Sequence, residues 1–266
     1  MGADWSLTRP TDTNTPSTAR IYDYLLGGTD NYEVDREAAK RALEAMPQLR
    51  DIMRANRRFM VRAVRYVAGQ GIDQFIDIGT GLPTSPSVPE VARAITPHAR
   101  VVGVDHDPIV LTRHRGLVAV DSGITTIEGD VRHPDRIFAD IEHSKLIDLD
   151  RPVAVLLMAV MHFVTDDEDP AGIIRALMEH TAPGSYLVVS VAASEGSHPL
   201  AVEGLEQVYQ GVSAPLTMRP KEHIRAWFDP FHLVEPGLVD IRDWRPDGAE
   251  PRFSELPLGC VAYRPR

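Results

Sequence analysis

Short apolar runs alternate with stretches of helical periodicity from residue 72 onward, and this alternation constrains the fold more than any other feature. The run over 153–160 is continuously apolar, which is typical of a strand buried on both faces of a parallel sheet. Strands that alternate with helices predict a doubly wound, mostly parallel α/β sheet. The predicted strands cover 74–78, 100–104, 124–128, 153–160 and 186–191, with further β runs at 238–241 and 258–263.

The predicted helices of this region begin after local start signals. Ser87 and Glu90 form a capping-box pattern before a helix that extends to about residue 95. Further helical patterns cover about 108–120, 171–180, 201–210 and 221–228. The sequence therefore predicts a domain over 71–266 in which crossover helices connect the strands.

The first 70 residues have a different texture. Residues 1–19 are polar and rich in Thr and Pro, which predicts a flexible leader. Residues 20–32 mix aromatic side chains with a Gly27-Gly28 turn, and helical patterns follow over 34–46 and 48–68. We expect residues 20–70 to form a helical extension of the sheet domain.

Composition excludes several classes of protein. The one cysteine of the 266 residues, Cys260, rules out an internal disulfide and a cysteine-cluster zinc site, and it favours a cytoplasmic protein. The longest apolar run has nine residues, whereas a membrane-spanning helix needs about 20. The net charge of −10 disfavours a nucleic-acid partner. We expect no metal site, because no metal-binding motif occurs.

The end of the first strand carries the clearest binding signal. Ligands bind at the carboxyl ends of the strands in such sheets, and the first strand runs into Asp77-Ile78-Gly79-Thr80-Gly81. A dinucleotide fingerprint needs a third glycine where this chain has Thr84. A carboxylate at Asp77 suits an ammonium group better than a pyrophosphate. The alternative is a plain glycine turn.

The next two strands also end at acids. Asp105 can accept the hydroxyl groups of a ribose, because Asp107 is better placed to cap the helix that follows. Asp130 can accept from the exocyclic amine of a purine, with Val131 packed on the ring, or it is simply a loop residue. Three acids that close three consecutive strands form a stronger pattern than any one of them.

His162 follows the continuously apolar strand and is the candidate for acceptor-side chemistry. A histidine there can orient an acceptor or take its proton, although a structural hydrogen-bonded role is the alternative.

The helix over 48–68 separates into an apolar face and an arginine arc. Asn56 lies in the middle of the apolar face, where a buried amide must find partners in the core or reach into the ligand cleft. The arc is either a solvated face or an anion- or partner-binding surface, and it consists of Arg50, Arg54, Arg57, Arg58, Arg62 and Arg65.

Together these residues resemble class I S-adenosylmethionine-dependent methyltransferases. More narrowly, the chain resembles an actinobacterial family of such enzymes over about residues 17–266. The resembling stretches are 19–28, 77–84, 104–108, 159–163, 233–239 and 244–246. The resemblance implies a seven-stranded sheet whose last strand is antiparallel, with an N-terminal helical lid over the cofactor cleft. Pro83 departs from the superfamily pattern, which often has glycine there.

The resemblance also implies roles for individual residues. Gly79, Thr80 and Gly81 would surround the methionine part of the cofactor. His106 would join Asp105 at the ribose and adenine. Ala159 and Asn56 complete the expected cofactor-binding set, which also contains Asp77, Asp130 and Val131. The expected acceptor-side residues are His162, Tyr22 and Tyr24.

Methyl transfer from S-adenosylmethionine to a small molecule is the function that these observations favour. No Asn/Asp-Pro-Pro-aromatic motif occurs, which disfavours a nucleic-acid amino methyltransferase. Two alternatives remain open at this point. One is an NAD(P)-dependent oxidoreductase of the same fold, and the other is a non-enzymatic protein that binds the cofactor or a partner. The oligomeric state is not indicated.

Overall fold

The computed structural model describes residues 12–119 and 121–265. Its strands are β1 Gln74–Ile78, β2 Arg100–Asp105, β3 Ile124–Glu128, β4 Ala154–Met158, β5 Tyr186–Val191, β6 His232–Leu233, β7 Val239–Asp240 and β8 Leu258–Tyr263. Its α-helices are α1 Thr18–Leu26, α2 Glu33–Ala45, α3 Leu49–Gly69, α4 Val88–Arg93, α5 Pro108–Val118, α6 Pro134–Ser144, α7 Pro170–Glu179, α8 Pro199–Tyr209 and α9 Lys221–Ala226.

The strands form one mixed sheet with the order β3-β2-β1-β4-β5-β8-β6. Strands β1 to β5 are parallel, and β8 is antiparallel to β5. This confirms the predicted fold class and the antiparallel last strand. Seven strands follow this path in the described part of the chain, and the two-residue β7 pairs beside it with β8.

Two predicted strands differ from the structure, and three elements that it contains were not predicted. The strand expected to reach residue 160 ends at Met158, because Ala159 adopts a left-handed φ of 57° and the chain turns into a short 3₁₀ helix over Met161–Phe163. The run expected over 238–241 contributes only Val239–Asp240. Helices α1 and α6 and strand β6 were not predicted.

Two apolar layers cover the sheet because side chains alternate along each strand. Ile76, Val155 and Leu187 pack on one side with α6, α7 and α9. Phe75 and Leu156 pack on the other side with α3 and α4. The central strands are therefore buried on both faces, as their continuous apolar character predicts.

The N-terminal helices are divided between a cap and the sheet. Helices α1, α2 and α8 share an apolar cluster with the first turn of α3, and we call these elements the cap. The rest of α3 packs on the sheet through residues such as Phe59 and Val64. The helix α1 begins at Thr18, within the stretch assigned to the leader, whereas residues 1–11 lie outside the described residues. The division at residues 19 and 70 stays a prediction.

The arginine arc of α3 is not simply a solvated face. Arg62 is buried and donates to the carbonyl oxygens of Trp244 and Ile241 at 3.0 and 2.6 Å. Its Nη1 also donates to Glu250 at 2.8 Å, and Arg58 donates to the same carboxylate at 2.6 Å. These bonds tie α3 to the segment between β7 and β8.

Candidate functional site

One cleft lies at the carboxyl ends of the central parallel strands. The loop after β1 crosses the end of β2, because the N–H groups of Gly79 and Thr80 both donate to Val104 O, at 2.8 and 3.1 Å. The ends of β1, β2, β3 and β4 thereby open into a single cleft beneath α1 and α3.

Two glycines of this loop are required by geometry. Gly79 and Gly81 have φ values of 71° and 66°, a left-handed region that side chains rarely adopt. A Cβ on Gly79 would also lie 2.4 Å from Cγ2 of Val160. Glycine at positions 79 and 81 therefore allows the backbone of this loop to line the cleft.

Asp77 is a buried carboxyl group on the cleft wall. Thr80 Oγ1 donates to its Oδ2 at 2.8 Å, and burial raises the pKa of the Asp77 carboxyl above its ordinary value. A buried anion without a full counter-charge attracts a cationic ligand group. This arrangement suits an ammonium group.

Helix α3 presents two unpartnered polar atoms at the same end of the cleft. Asn56 Nδ2 donates to the hydroxyl oxygen of Tyr22 at 2.9 Å, but its buried Oδ1 accepts no hydrogen bond from any described residue. Arg57 donates through Nη2 to the carbonyl oxygens of Thr84 and Pro86, whereas its buried Nε has no acceptor within residues 12–119 and 121–265. The two residues thus offer a ligand one acceptor and one charged donor.

Asp105 holds the loop after β1 against the end of β2. Its Oδ2 accepts from Gly81 N at 2.9 Å, and its Oδ1 accepts from Asp107 N at 3.0 Å. Burial raises the pKa of this carboxyl group. Asp107 caps α5 by accepting from Ile109 N at 2.8 Å, as the sequence suggests. His106 is half exposed beside them, with Nδ1 3.9 Å from Asp105 Oδ1.

The end of β3 differs from the expectation in one respect. Asp130 is paired with Arg132, whose backbone N–H and Nη1 donate to Oδ1 at 3.0 and 3.1 Å. Arg132 also donates hydrogen bonds to Glu168 Oε1 and to Phe163 O. Val131 is buried in the cleft wall. A ligand amine at Asp130 would therefore share the carboxylate with Arg132.

His162 is held as a neutral ring. Burial, together with the nearby Arg219 guanidinium, lowers its pKa to about 3. Its Nδ1 accepts from Ala192 N at 3.2 Å, which leaves the proton of the neutral ring on Nε2. The ring is thus arranged to donate a hydrogen bond and is poorly suited to take a proton.

The structure brings all but one of the predicted site residues to this cleft. The exception is Tyr24, which packs in the cap with the Arg50 guanidinium 5.1 Å from its ring centroid. Sequence reasoning missed other residues that line the cleft, namely Thr18, Ala19, Met53, Arg57, Arg132 and Tyr209. Arg57 had a signal, since it is adjacent to Asn56 and belongs to the arginine arc, for which both a solvated face and an anion- or partner-binding surface are predicted as alternatives.

Comparison with known proteins identifies this arrangement. A family model described as S-adenosyl methyltransferase matches residues 5–262. The chain belongs to this family. It is an S-adenosylmethionine-dependent methyltransferase, and S-adenosylmethionine is its cofactor. The family assignment removes the support for a nicotinamide oxidoreductase.

Solved structures give the same result. The methyltransferase is 40% identical to a DUF574 family protein from Streptomyces avermitilis, with a TM-score of 0.90 over 96% of this chain and 100% of that chain. It is 36% identical to a proposed methyltransferase from Thermobifida fusca, with a TM-score of 0.88 over 99% of this chain and 97% of that chain.

More distant similarity concerns the fold alone. An O-methyltransferase family protein from Burkholderia thailandensis is 12% identical, with a TM-score of 0.54 over 91% of this chain and 64% of that chain. No curated protein sequence matches this methyltransferase. Among its described residues, no helix is long and apolar enough to cross a membrane.

Proposed function

We propose that this methyltransferase transfers the methyl group of S-adenosylmethionine to a small-molecule acceptor, by in-line displacement beneath the cap. The observation that carries the proposal is the cleft of buried acids and unpartnered polar atoms, which adjoins an apolar pocket under the cap. When bound, the cofactor supplies an activated methyl group, so the protein mainly provides position and a dry environment.

The methionine end of the cofactor would lie between β1 and α3. In this proposal Asp77 and Asn56 Oδ1 accept from its ammonium group, and Arg57 Nε donates to its carboxylate. The buried charge and the two unpartnered atoms support this assignment, because each would gain the partner that it lacks in the protein alone.

The adenosine end would lie over the ends of β2 and β3. We assign the ribose hydroxyls to Asp105 and the adenine ring to His106, Asp130 and Val131. Asp105 would accept hydrogen bonds from the ribose hydroxyl groups in addition to its two backbone N–H bonds, because a carboxylate has about four lone-pair sites. Ala159 would line the cofactor side of the cleft with its backbone, because its left-handed φ turns the chain at the end of β4.

The acceptor side is assigned to His162 and Tyr22. His162 would orient the acceptor through its Nε2–H. Tyr22 would lie beside the acceptor through its hydrogen bond to Met53 O at 3.4 Å, and it would also hold Asn56 on the cofactor side. A general base is not required when the acceptor is already nucleophilic. The remaining candidate, Tyr24, stabilises the cap in this proposal and does not reach the reaction.

Calorimetric titration with S-adenosylmethionine tests the cofactor assignment. We expect micromolar binding by the wild-type protein and at least a tenfold loss in Asp105→Ala, with NADH and NADPH showing no heat of binding. Asp229→Ala, which removes an exposed carboxylate of the same charge, is the matched control. Circular dichroism establishes that each variant is folded. Equal binding by Asp105→Ala and the wild type would contradict the ribose assignment.

A further inference from the structure

A second pocket, almost wholly apolar, adjoins the cofactor cleft. Six apolar side chains from α3, α8 and the segments beside them line it, namely Met46, Leu49, Ile52, Leu205, Leu216 and Met218. Four side chains line both the pocket and the cleft, namely Met53, His162, Phe163 and Tyr209. A molecule in the pocket and a molecule in the cleft would therefore meet at these four side chains.

Besides the Tyr209 hydroxyl, this boundary offers one polar side-chain nitrogen, and it is a hydrogen-bond donor. The Ala192 N–H donates to Nδ1 of His162, and a neutral imidazole then carries its proton on Nε2. No hydrogen bond to Nε2 is found within residues 12–119 and 121–265. An acceptor at the boundary would therefore receive a hydrogen bond from His162.

We infer that the acceptor is an apolar molecule whose nucleophile is a phenolic or enolic oxygen that accepts the His162 Nε2–H. An oxygen nucleophile can accept this hydrogen bond with one lone pair and attack the methyl group with another. A neutral amine has a single lone pair and cannot do both. The inference rests on the proposed function and narrows its acceptor to one chemical class.

The charge behind His162 favours the same class. Arg219 is buried and donates through Nη2 to Val164 O at 2.6 Å, just after the histidine in sequence. Its ion-pair partner Asp166 is 79% exposed, so water screens that negative charge. The guanidinium therefore leaves a net positive potential at His162, which favours an oxygen anion.

The proposed reaction balances without a protein base. The acceptor oxygen forms a bond to the methyl carbon as the carbon–sulfur bond breaks, and its electron pair passes to sulfur. An ionised acceptor releases no further proton, and a neutral phenol releases its proton to water. This matches a histidine that remains neutral.

Glu255 supports the alternative that the acceptor is a cationic amine. It lines the apolar pocket, and its Oε2 accepts from Ser254 Oγ at 3.1 Å. No ion pair of this carboxylate occurs in the described part of the chain. A cationic amine in the pocket would gain from it, so the experiment must separate an oxygen acceptor from an amine.

Three probes with one apolar skeleton make this distinction, namely para-ethylphenol, para-ethylaniline and para-ethylbenzylamine. Binding of each to the full chain is measured by calorimetry with S-adenosylhomocysteine present, and turnover with S-adenosylmethionine is followed by mass spectrometry. We expect the phenol to be methylated at least about tenfold faster than either amine, because a nitrogen that accepts from His162 has no lone pair left for attack. Binding involves no attack and shows that each probe enters the pocket.

Variants assign the preference to His162. His162→Met should remove the difference in methylation rate between the phenol and the aniline, and His162→Gln should retain that difference because its amide can accept from Ala192 and still donate. Met218→Trp should weaken all three probes by filling the pocket. Glu222→Gln, on the exposed face of α9, is the matched control.

Several results would overturn the inference. They are equal methylation of the phenol and the aniline, an unchanged preference in His162→Met, and no binding of any probe by protein that binds S-adenosylmethionine. Tightest binding of the benzylamine, lost in Glu255→Gln, would instead establish an amine anchored by a carboxylate. Failure to bind S-adenosylmethionine itself would refute the cofactor assignment and is measured separately.

Discussion

The neutral His162 ring makes a quantitative prediction about stability and pH. Burial lowers the pKa of this imidazole from 6.5 to about 3 in the folded protein, whereas the unfolded chain keeps the ordinary value. Between these values the unfolded state binds a proton that the folded state excludes. The contribution of His162 to the free energy of unfolding therefore falls as the pH falls through 6.5.

The size of the effect follows from the pKa values. Each pH unit below 6.5 lowers the free energy of unfolding by about 1.4 kcal/mol through His162. Lowering the pH from 8 to 5 should therefore remove about 2 kcal/mol of stability through this residue. Urea denaturation at pH 8, 7, 6 and 5 measures the loss, which is a substantial part of the roughly 5–15 kcal/mol of a typical domain.

His162→Gln isolates the contribution of the imidazole. Glutamine does not titrate and can still accept from the Ala192 N–H, so we expect the variant to lose about 2 kcal/mol less than the wild type over this range. The raised pKa values of Asp77 and Asp105 act in the opposite direction but are common to both proteins. His223→Gln, on the exposed side of α9, is the control. Parallel pH dependences for the wild type and His162→Gln would refute the reasoning.

Three further predictions concern the loop, the arginine arc and the cleft acid. Gly79→Ala should lower the free energy of unfolding, measured by urea denaturation, by about 2–4 kcal/mol, because the residue has a left-handed φ and its Cβ would clash with Val160. Adding Val160→Ala should restore part of this stability, and no recovery would argue against the clash. Arg62→Leu should lower the free energy of unfolding by about 3 kcal/mol, because it leaves buried acceptors unpaired. Arg65→Leu, on the exposed side of α3, should lower it by less than about 0.5 kcal/mol, and equal losses in the two variants would contradict the burial argument. Asp77→Asn should raise the free energy of unfolding at pH 8, where the buried carboxylate is most costly, and should weaken S-adenosylmethionine binding about tenfold by calorimetry; unchanged affinity would exclude the ammonium assignment.

The sequence predicts the sheet well where the strands are buried on both faces. The bounds of β1, β5 and β8 match the predicted runs, because buried residues continue until the strand leaves the core. The bounds of β3 also match, although this edge strand is only half buried. The two-residue strand β6 exists through its pairing with β8, and no local pattern indicates it, whereas β7 lies within the β run predicted over 238–241. Helix α6 had a readable signal, with Pro134 in the first turn and Ile137, Phe138 and Ile141 buried on one face.

The cleft is predictable to the extent that it follows from strand ends. Asp77, Asp105 and Asp130 come together because parallel strands place their carboxyl ends at one edge. The arginines of α3 show the limit. Periodicity places Arg57 and Arg62 on one arc, but their burial depends on segments near residues 84–86 and 241–250, which local sequence cannot reveal.

The hydrogen bonds of Arg62 also bear on how the chain acquires its structure during synthesis. This side chain joins α3 to Ile241, 179 positions later, and α3 carries the Asn56 that meets Tyr22 in the cleft. A ribosome releases α3 long before its partner segment, so the hydrogen bonds of Arg62 form only after almost the whole chain has emerged. The contacts that hold α3 over the cleft are thus completed late, and a chain that stops before residue 241 would lack both these bonds and the sheet edge formed by β8.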